Sequence, residues 1–345
     1  MRSIQLTAPQ VLEPREMAMP PDPGPGEVLV RVRAVGICGS DLHWFLEGRI
    51  GDHRAVFPQV LGHEPAGVIE AVGAGIHDLR PGQKVAVEPT ITCGTCEFCL
   101  AGRHNNCLRS RNMGSSQLPG LFREFATVPA HNAVAVPDAM SFDEATIVEP
   151  LAVILHVLEL TRIPLGATVA VLGAGPIGLL TAAVARQCGA ARVFVADRLP
   201  HRLRFAADAG AEATIDINGQ SAVEAVMDHT RGRGVDLVFD CAAAPDTLNT
   251  AVGMARRGGR VVLIGLPSAA APIRFDLLAA MAKELEIQTI RRSNCNAHAA
   301  IALLMAGRIP LSFVTHHFPL EETPRAFATA TAYADGIGKA IIEIS

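Results

Sequence analysis

Two groups of side chains in the first third of the chain have the types and spacing of metal ligands. The first is Cys93-Gly-Thr-Cys96-Glu-Phe-Cys99, followed by Cys107. Four thiolates so close together make a closed tetrahedral zinc site with no position for substrate, whose work is to fold the loop that carries it. A redox thiol pair is the competing reading, and no thioredoxin-like strand–helix context surrounds the run. The second group lies on two loops, Gly36-Ile-Cys38-Gly-Ser40-Asp41 and Leu61-Gly62-His63-Glu64. A soft and a borderline ligand beside a carboxylate suit an open site, where zinc takes about three protein ligands and keeps a position for water or substrate. Glu64 and Glu149, the latter in Val148-Glu149-Pro150-Leu151, are the two carboxylates that could complete this site or stand behind its ligands. Ser40 and His43 would suit a relay carrying a substrate proton to solvent. Taken singly, Cys38 would be a buried thiol and His63 a satisfied polar histidine; together they argue for metal. Cys188, Cys241 and Cys295 are isolated and read as buried small apolar groups.

A third signal is Gly173-Ala-Gly175-Pro176-Ile177-Gly178, which follows an apolar strand pattern and opens a helical one. In that context the glycines permit a tight turn and close approach of backbone to a pyrophosphate at the helix N-terminus. Asp197 falls at the end of the next strand pattern, about 20 residues on, where a carboxylate accepts from ribose hydroxyls. Its charge would repel a 2′-phosphate, which favours NAD over NADP; Arg198 and Arg202 are the residues that could instead serve such a phosphate.

The elements that must position these groups divide the chain in two. Residues 1–150 are rich in Pro and Gly, with short β-branched runs such as Glu27–Arg33, Gly67–Val72 and Pro81–Val87, the pattern of a β-rich domain. From 151 to 291 apolar strands alternate with helices, as expected of a doubly wound parallel sheet. The strands are Ala167–Leu172, Arg192–Ala196, Val235–Phe239 and Gly259–Gly265; the helices are Leu151–Thr161, about 200–208 and about 246–255. Residues 292–345 hold one amphipathic stretch, Ala297–Met305, and a closing strand, Lys339–Ile344, expected to return to the first domain. A cleft between the domains is where a metal and a nicotinamide could meet.

Bulk properties narrow the function. Of 345 residues 49% are hydrophobic and 19% charged, which supports two packed cores. A net charge of −4 and only 4% aromatic residues give no reason to expect nucleic acid as a partner. No apolar run reaches the roughly 18 residues of a membrane span, and the N-terminus lacks a signal core, so a cytoplasmic protein with reduced thiols is expected.

These residues together resemble the zinc-containing medium-chain dehydrogenase/reductase family. Gly62-His63-Glu64-Pro-Ala-Gly67, continuing to Gly73 and Ile76, matches that family's zinc signature. Gly36-Ile-Cys38-Gly-Ser-Asp-Leu-His43 and Val148-Glu149-Pro-Leu-Ala-Val153 are similar to its polyol branch of sorbitol, xylitol and L-idonate dehydrogenases. The resemblance implies a GroES-like catalytic domain (1–150 and 292–345) interrupted by a Rossmann domain (151–291), in a homodimer or homotetramer. It implies a catalytic zinc surrounded by Cys38, His63 and Glu64 with Glu149 as ligand or close by, and a structural zinc on Cys93, Cys96, Cys99 and Cys107. It further implies that Ile177, Asp197, Arg202 and the Ile264-Gly265-Leu266 turn touch NAD, and that Arg292 lies near substrate and Glu149. The expected reaction is hydride transfer from a secondary alcohol of polyol or sugar-acid type to NAD. A threonine or simple secondary-alcohol dehydrogenase is the nearest alternative, and a non-catalytic zinc- and nucleotide-binding protein the alternative of another class. Two departures from the sorbitol pattern stand out: Trp44 replaces a tyrosine after His43, and Ser-Asn-Cys-Asn-Ala replaces an aromatic-containing run after Arg292.

Overall fold

The computed structural model describes residues 1–345, which form two compact units. Unit 1 comprises Met1–Ala152, Ser293–Met305 and Val314–Ser345; unit 2 comprises Val153–Arg292 and Ala306–Phe313. The short stretch 306–313 thus groups with unit 2, where the sequence pattern places it with the catalytic portion. The physical reason is local: the Gln187 side-chain amide donates to the Arg308 carbonyl at 3.4 Å, and the Ser312 hydroxyl donates to Asp208 at 2.8 Å. No composition change marks such side-chain ties.

Unit 1 is built on a seven-stranded sheet whose central strand is Glu27–Gly36. Its Val28, Val30 and Val32 are buried while Arg31 between them is exposed, the pattern of a strand with one face on the core, and a register shift between Val32 and Ala34 precedes buried Val35. Glu64–Val72 pairs antiparallel beside it, placing Glu64 opposite Gly36. The terminal strand Lys339–Glu343 returns to pair on its other side, with Ile341 opposite Gly36. Three strands distant in sequence therefore converge at one point of the sheet. The helix Gly39–Glu47 starts directly after Gly36-Ile37-Cys38. It is fixed by Phe45, whose ring lies 5.2 Å from that of Phe327, itself 5.8 Å from Phe122. Burying each of these aromatics contributes on the order of 2–3 kcal/mol, which anchors the helix carrying Ser40, Asp41 and His43.

Unit 2 is a six-stranded, all-parallel sheet in the order Ala213–Asp216, Arg192–Asp197, Thr168–Leu172, Val235–Asp240, Ala255–Leu263, Glu286–Thr289. Val169, Ala170 and Val171 have no exposed surface, as expected of strands covered by helices on both faces. This is the doubly wound arrangement expected from the sequence, with the edge strands and the helix Ala222–His229 added to it.

Candidate active site

Cys38, His63 and Glu64 come together in unit 1, each offering a ligand atom within 4.8 Å of the others. Cys38 is the residue before the helix Gly39–Glu47, and His63 and Glu64 stand where the strand Glu64–Val72 begins. What holds them in register is Asp41, fully buried in the first turn of that helix. Its carboxylate accepts from the Cys38 amide at 3.0 Å and the Gly62 amide at 3.1 Å, and stands 3.1 Å from His63 Nδ1. A carboxylate on Nδ1 holds the proton there and leaves Nε2 for a metal, the arrangement that orients histidine ligands in metalloenzymes. Burial pushes the His63 imidazole down, but Asp41 and the Cys38 sulfur together raise it well above its ordinary value.

Glu64 is held by Lys339. The two side chains form an ion pair with 1% of either exposed, the lysine arriving on the C-terminal strand. Burial lowers the lysine's proton affinity, yet Glu64, Cys38 and Asp41 reverse this and raise it. Room for the pair comes from Gly36: a Cβ there would lie 2.3 Å from Glu64 Oε2 and 2.9 Å from Lys339 Cε. Glu149 sits in the first turn of the helix Val148–Thr161, which begins earlier than the sequence pattern places it. It is electrostatically coupled to this cluster rather than part of it: burial raises its carboxyl to about 7, with His63 and Lys339 opposing and Glu64 and Glu88 reinforcing.

Ser40 Oγ is 3.2 Å from His63 Nε2. His43 Nδ1 is instead 3.1 Å from Glu47 Oε1, so no hydrogen bond runs from Ser40 to His43, although the two share a helix face at a spacing of three residues.

The four cysteines Cys93, Cys96, Cys99 and Cys107 also converge within 4.8 Å. Cys93 and Cys99 sulfurs are 3.9 Å apart, and Cys93 and Cys107 3.5 Å. A zinc tetrahedron with bonds of about 2.3 Å has edges of about 3.8 Å, so the donor set fits that ion. Backbone amides point at the sulfurs, Cys93 N to Cys107 Sγ and Cys96 N to Cys93 Sγ, both at 3.3 Å. The Thr95 amide and the Arg109 side chain pull the Cys93 thiol down to about 5. Of the remaining cysteines, Cys188 and Cys295 are exposed, contrary to the expectation of burial; they follow a helix end and a polar strap where no apolar pattern reaches. Burial pushes the Cys241 thiol up to about 12.

In unit 2 the glycine turn has the geometry its sequence promises. Gly173 has φ +92°, and a Cβ on Gly178 would sit 1.8 Å from the Gly173 carbonyl oxygen, so only glycine lets the helix Pro176–Gln187 start this close. Asp197 ends the adjacent strand, buried, accepting from Ala174 N at 2.6 Å and Leu199 N at 2.8 Å. It ties the glycine turn to its neighbour while a carboxylate's further lone pairs remain for a ligand. Arg202 Nη1 lies 3.6 Å from where a Gly175 Cβ would be. Ile264 and Gly265 amides both donate to Asp240 O, which shapes the turn leading to exposed Leu266. Arg292, with φ +55°, closes this stretch of unit 2.

Sequence reasoning assigned no role to Asp41, Lys339 or Glu88. Asp41 carried a readable signal, an acidic residue in the first turn of a helix that starts at a ligand. Lys339 carried none, being a polar residue at the end of a short terminal strand whose middle is apolar.

A GroES-like β unit with an open Cys–His–Glu cluster and a four-thiolate lobe, joined in one chain to a dinucleotide-binding sheet, defines a zinc-type dehydrogenase. Residues 24–138 match the alcohol dehydrogenase GroES-like domain, and residues 176–306 the zinc-binding dehydrogenase domain. The chain is 36% identical over 324 residues to a sorbitol dehydrogenase of Bacillus subtilis, covering 93% of this chain and 91% of that one. It is 35% identical to L-idonate 5-dehydrogenase of Vitis vinifera, covering 92% and 88%. A zinc-binding dehydrogenase of Sinorhizobium meliloti, solved with NADP, superposes with a TM-score of 0.90 at 31% identity, covering 99% and 98%. The chain belongs to the zinc-binding alcohol dehydrogenase family and is an enzyme of that class. Both cysteine-containing clusters could hold zinc. No helix is long and apolar enough to cross a membrane.

Proposed function

We propose that this enzyme oxidises the secondary hydroxyl of a neutral or acidic polyol to a ketone, with NAD as hydride acceptor. The observation that carries the reading is the Cys38–His63–Glu64 cluster, oriented by buried Asp41 and Lys339, in a chain 36% identical to a sorbitol dehydrogenase. Cys38, His63 and Glu64 would hold a zinc ion, which would supply a Lewis acid for the alcohol, and a dinucleotide bound at the glycine turn would serve as hydride acceptor. The chain's own residues do the rest. Asp41 fixes the His63 ring so that Nε2 faces the reacting position. Ser40, beside that nitrogen, receives the hydroxyl proton, and His43 carries it outward through a water or a bound hydroxyl lying between them. Lys339 restrains Glu64, Glu149 holds a partly protonated carboxyl near the cluster, and Arg292 would meet the substrate's other hydroxyls. Cys93, Cys96, Cys99 and Cys107 would hold a second zinc, which would supply the cross-link that folds the lobe. These thiolates need a reducing compartment, consistent with the cytoplasm.

The glycine turn, Ile177, Asp197, Arg202 and the Ile264-Gly265-Leu266 turn would hold the dinucleotide. Asp197 opposes a 2′-phosphate and favours NAD, while Arg198 and Arg202 are the residues through which NADP could be accepted. A homo-oligomer is the expected assembly. The strand Glu286–Thr289 is an open sheet edge, and Leu277, Leu278, Met281 and Ile287 nearby in sequence are exposed, a surface that a second copy could cover.

Initial rates of NADH and NADPH formation across polyols, sugar acids, threonine and short alcohols test the substrate and cofactor together. Fastest turnover with polyols and NAD supports the proposal; threonine or a short alcohol as best substrate overturns it. Cys38→Ala should abolish turnover with NAD binding nearly unchanged.

A further inference from the structure

The segment after Arg292, where the chain departs from the sorbitol pattern, makes contacts that run in two directions within unit 1. Toward the four-cysteine lobe, Asn294 Oδ1 accepts from the His104 amide at 2.8 Å and the Asn105 amide at 3.4 Å, and its Nδ2 donates to the Gly102 carbonyl at 2.9 Å. One side chain thus closes the turn between Cys99 and Cys107. The strap itself is folded tightly: Asn294 N donates to Asn296 Oδ1 at 3.0 Å, and Cys295 between them has φ +64°.

In the other direction, the Ser293 side chain lies beside the Glu88 carboxylate and works against the burial that raises it. Glu88 stands at the neck of the lobe, its backbone locked to Asn132 on both sides: Glu88 N donates to Asn132 O at 2.8 Å, and Asn132 Nδ2 to Glu88 O at 2.7 Å. The Glu88 side chain has no such anchor. Its Oε1 is buried without a hydrogen-bond partner, and Ser293 is the polar side chain that acts on the carboxylate. Glu88 lines a small cavity together with Glu149, Pro65 and Ala297, Pro65 being next to Glu64 and Ala297 the first residue of the helix that the strap begins. Glu88 also acts electrostatically on Glu149. Neighbouring residues therefore lead from the thiolate lobe, through Asn294 and Ser293, to the Glu88 carboxylate, which shares its cavity with Glu149.

We propose that Asn294 is a positioning residue for the dehydrogenase reaction: by fastening the Gly102–Asn105 turn to the Ser293–Asn296 strap it keeps the Ser293 hydroxyl beside Glu88, and so fixes the acidic wall of the cavity shared with Glu149. Metal in the four-cysteine lobe and alcohol affinity at the catalytic cluster are then linked, each strengthening the other through this strap. The inference rests on the assignment of Cys38, His63 and Glu64 as the reacting centre.

The test uses the zinc-loaded full-length enzyme and whichever alcohol the wild type oxidises fastest, so that an error in the substrate class leaves it intact. KM and kcat are measured beside the rate at which a chromophoric chelator removes zinc from the lobe. Asn294→Ala should raise KM about fivefold, the factor one lost hydrogen bond commands, with kcat within about twofold and faster zinc loss. Ser293→Ala should raise KM similarly while zinc loss stays at the wild-type rate. The double variant should raise KM no further than either single one, because both break the same chain of contacts. Asn294→Asp keeps the acceptor for His104 and Asn105, should recover most of the zinc retention, and serves where Asn294→Ala folds poorly. Faster zinc loss with unchanged KM in either Asn294 variant would make Asn294 an anchor of the lobe alone and overturn the proposal, as would KM effects of Asn294→Ala and Ser293→Ala that multiply.

Discussion

Replacing Lys339 with methionine removes the charge that offsets Glu64 while keeping the apolar stem. Both side chains are 1% exposed, so the orphaned carboxylate has no water to turn to. Breaking a buried pair from one side typically costs 3–5 kcal/mol. Protonation of the orphan limits that cost: at about 1.36 kcal/mol for each pH unit above an ordinary glutamate value of 4.3, the ceiling at pH 7 is about 4 kcal/mol, falling to about 1 kcal/mol at pH 5. The sign follows from the raised carboxyl of the variant, whose penalty is present at high pH and vanishes as pH falls toward the unfolded value. Trp44, the only tryptophan, is buried in the core of unit 1, so its fluorescence during urea unfolding of metal-stripped protein reports this unit. Glu64→Leu combined with Lys339→Met leaves an apolar pair and should recover most of the loss. A Lys339→Met variant within about 0.5 kcal/mol of wild type at pH 7, or single and double variants that add, would refute the claim that this pair is a coupled, desolvated unit.

Three further outcomes follow from the same geometry. Asp41→Ala frees the His63 ring and two backbone amides, and should weaken zinc binding at the Cys38 site by about ten- to a hundredfold in a competition titration. Gly36→Ala drives a methyl into the Glu64–Lys339 pair and should reproduce much of the instability of Lys339→Met with both charges intact, again read by Trp44 fluorescence. Glu149, raised to about 7, should penalise the metal-free fold increasingly above its unfolded value near 4.3 and fully above 7. Glu149→Gln should therefore stabilise metal-stripped protein at pH 8, by no more than about 4 kcal/mol, and have no effect at pH 4.

The parts of the site that were legible in the sequence are those whose chemistry is local. Four cysteines within one lobe, three glycines around one turn, and a cysteine or histidine beside a distinctive neighbour each carry their meaning within a few residues. The alternation of apolar strands and helices in residues 151–291 was readable for the same reason, because each strand buried on both faces is a continuous apolar run. What escaped were residues defined by long-range pairing. Lys339 meets Glu64 across 275 positions through two antiparallel strands, and nothing in Lys-Ala-Ile-Ile-Glu marks its first residue as an ion-pair partner. Glu88 and Ser293 meet at the neck of the lobe across a whole intervening unit. The strand Ala213–Asp216 is only four residues long and half polar, too short for periodicity to register.

Metal content with X-ray absorption at the zinc edge tests the central claim most directly. The wild-type enzyme should hold two zinc ions per chain, one with four sulfur neighbours and one with a single sulfur and lighter ligands. Cys38→Ala should hold one, with four sulfurs, and no dehydrogenase activity. A wild type carrying only the four-sulfur ion while still oxidising alcohols, or a Cys38→Ala variant that keeps both ions and its activity, would contradict the account.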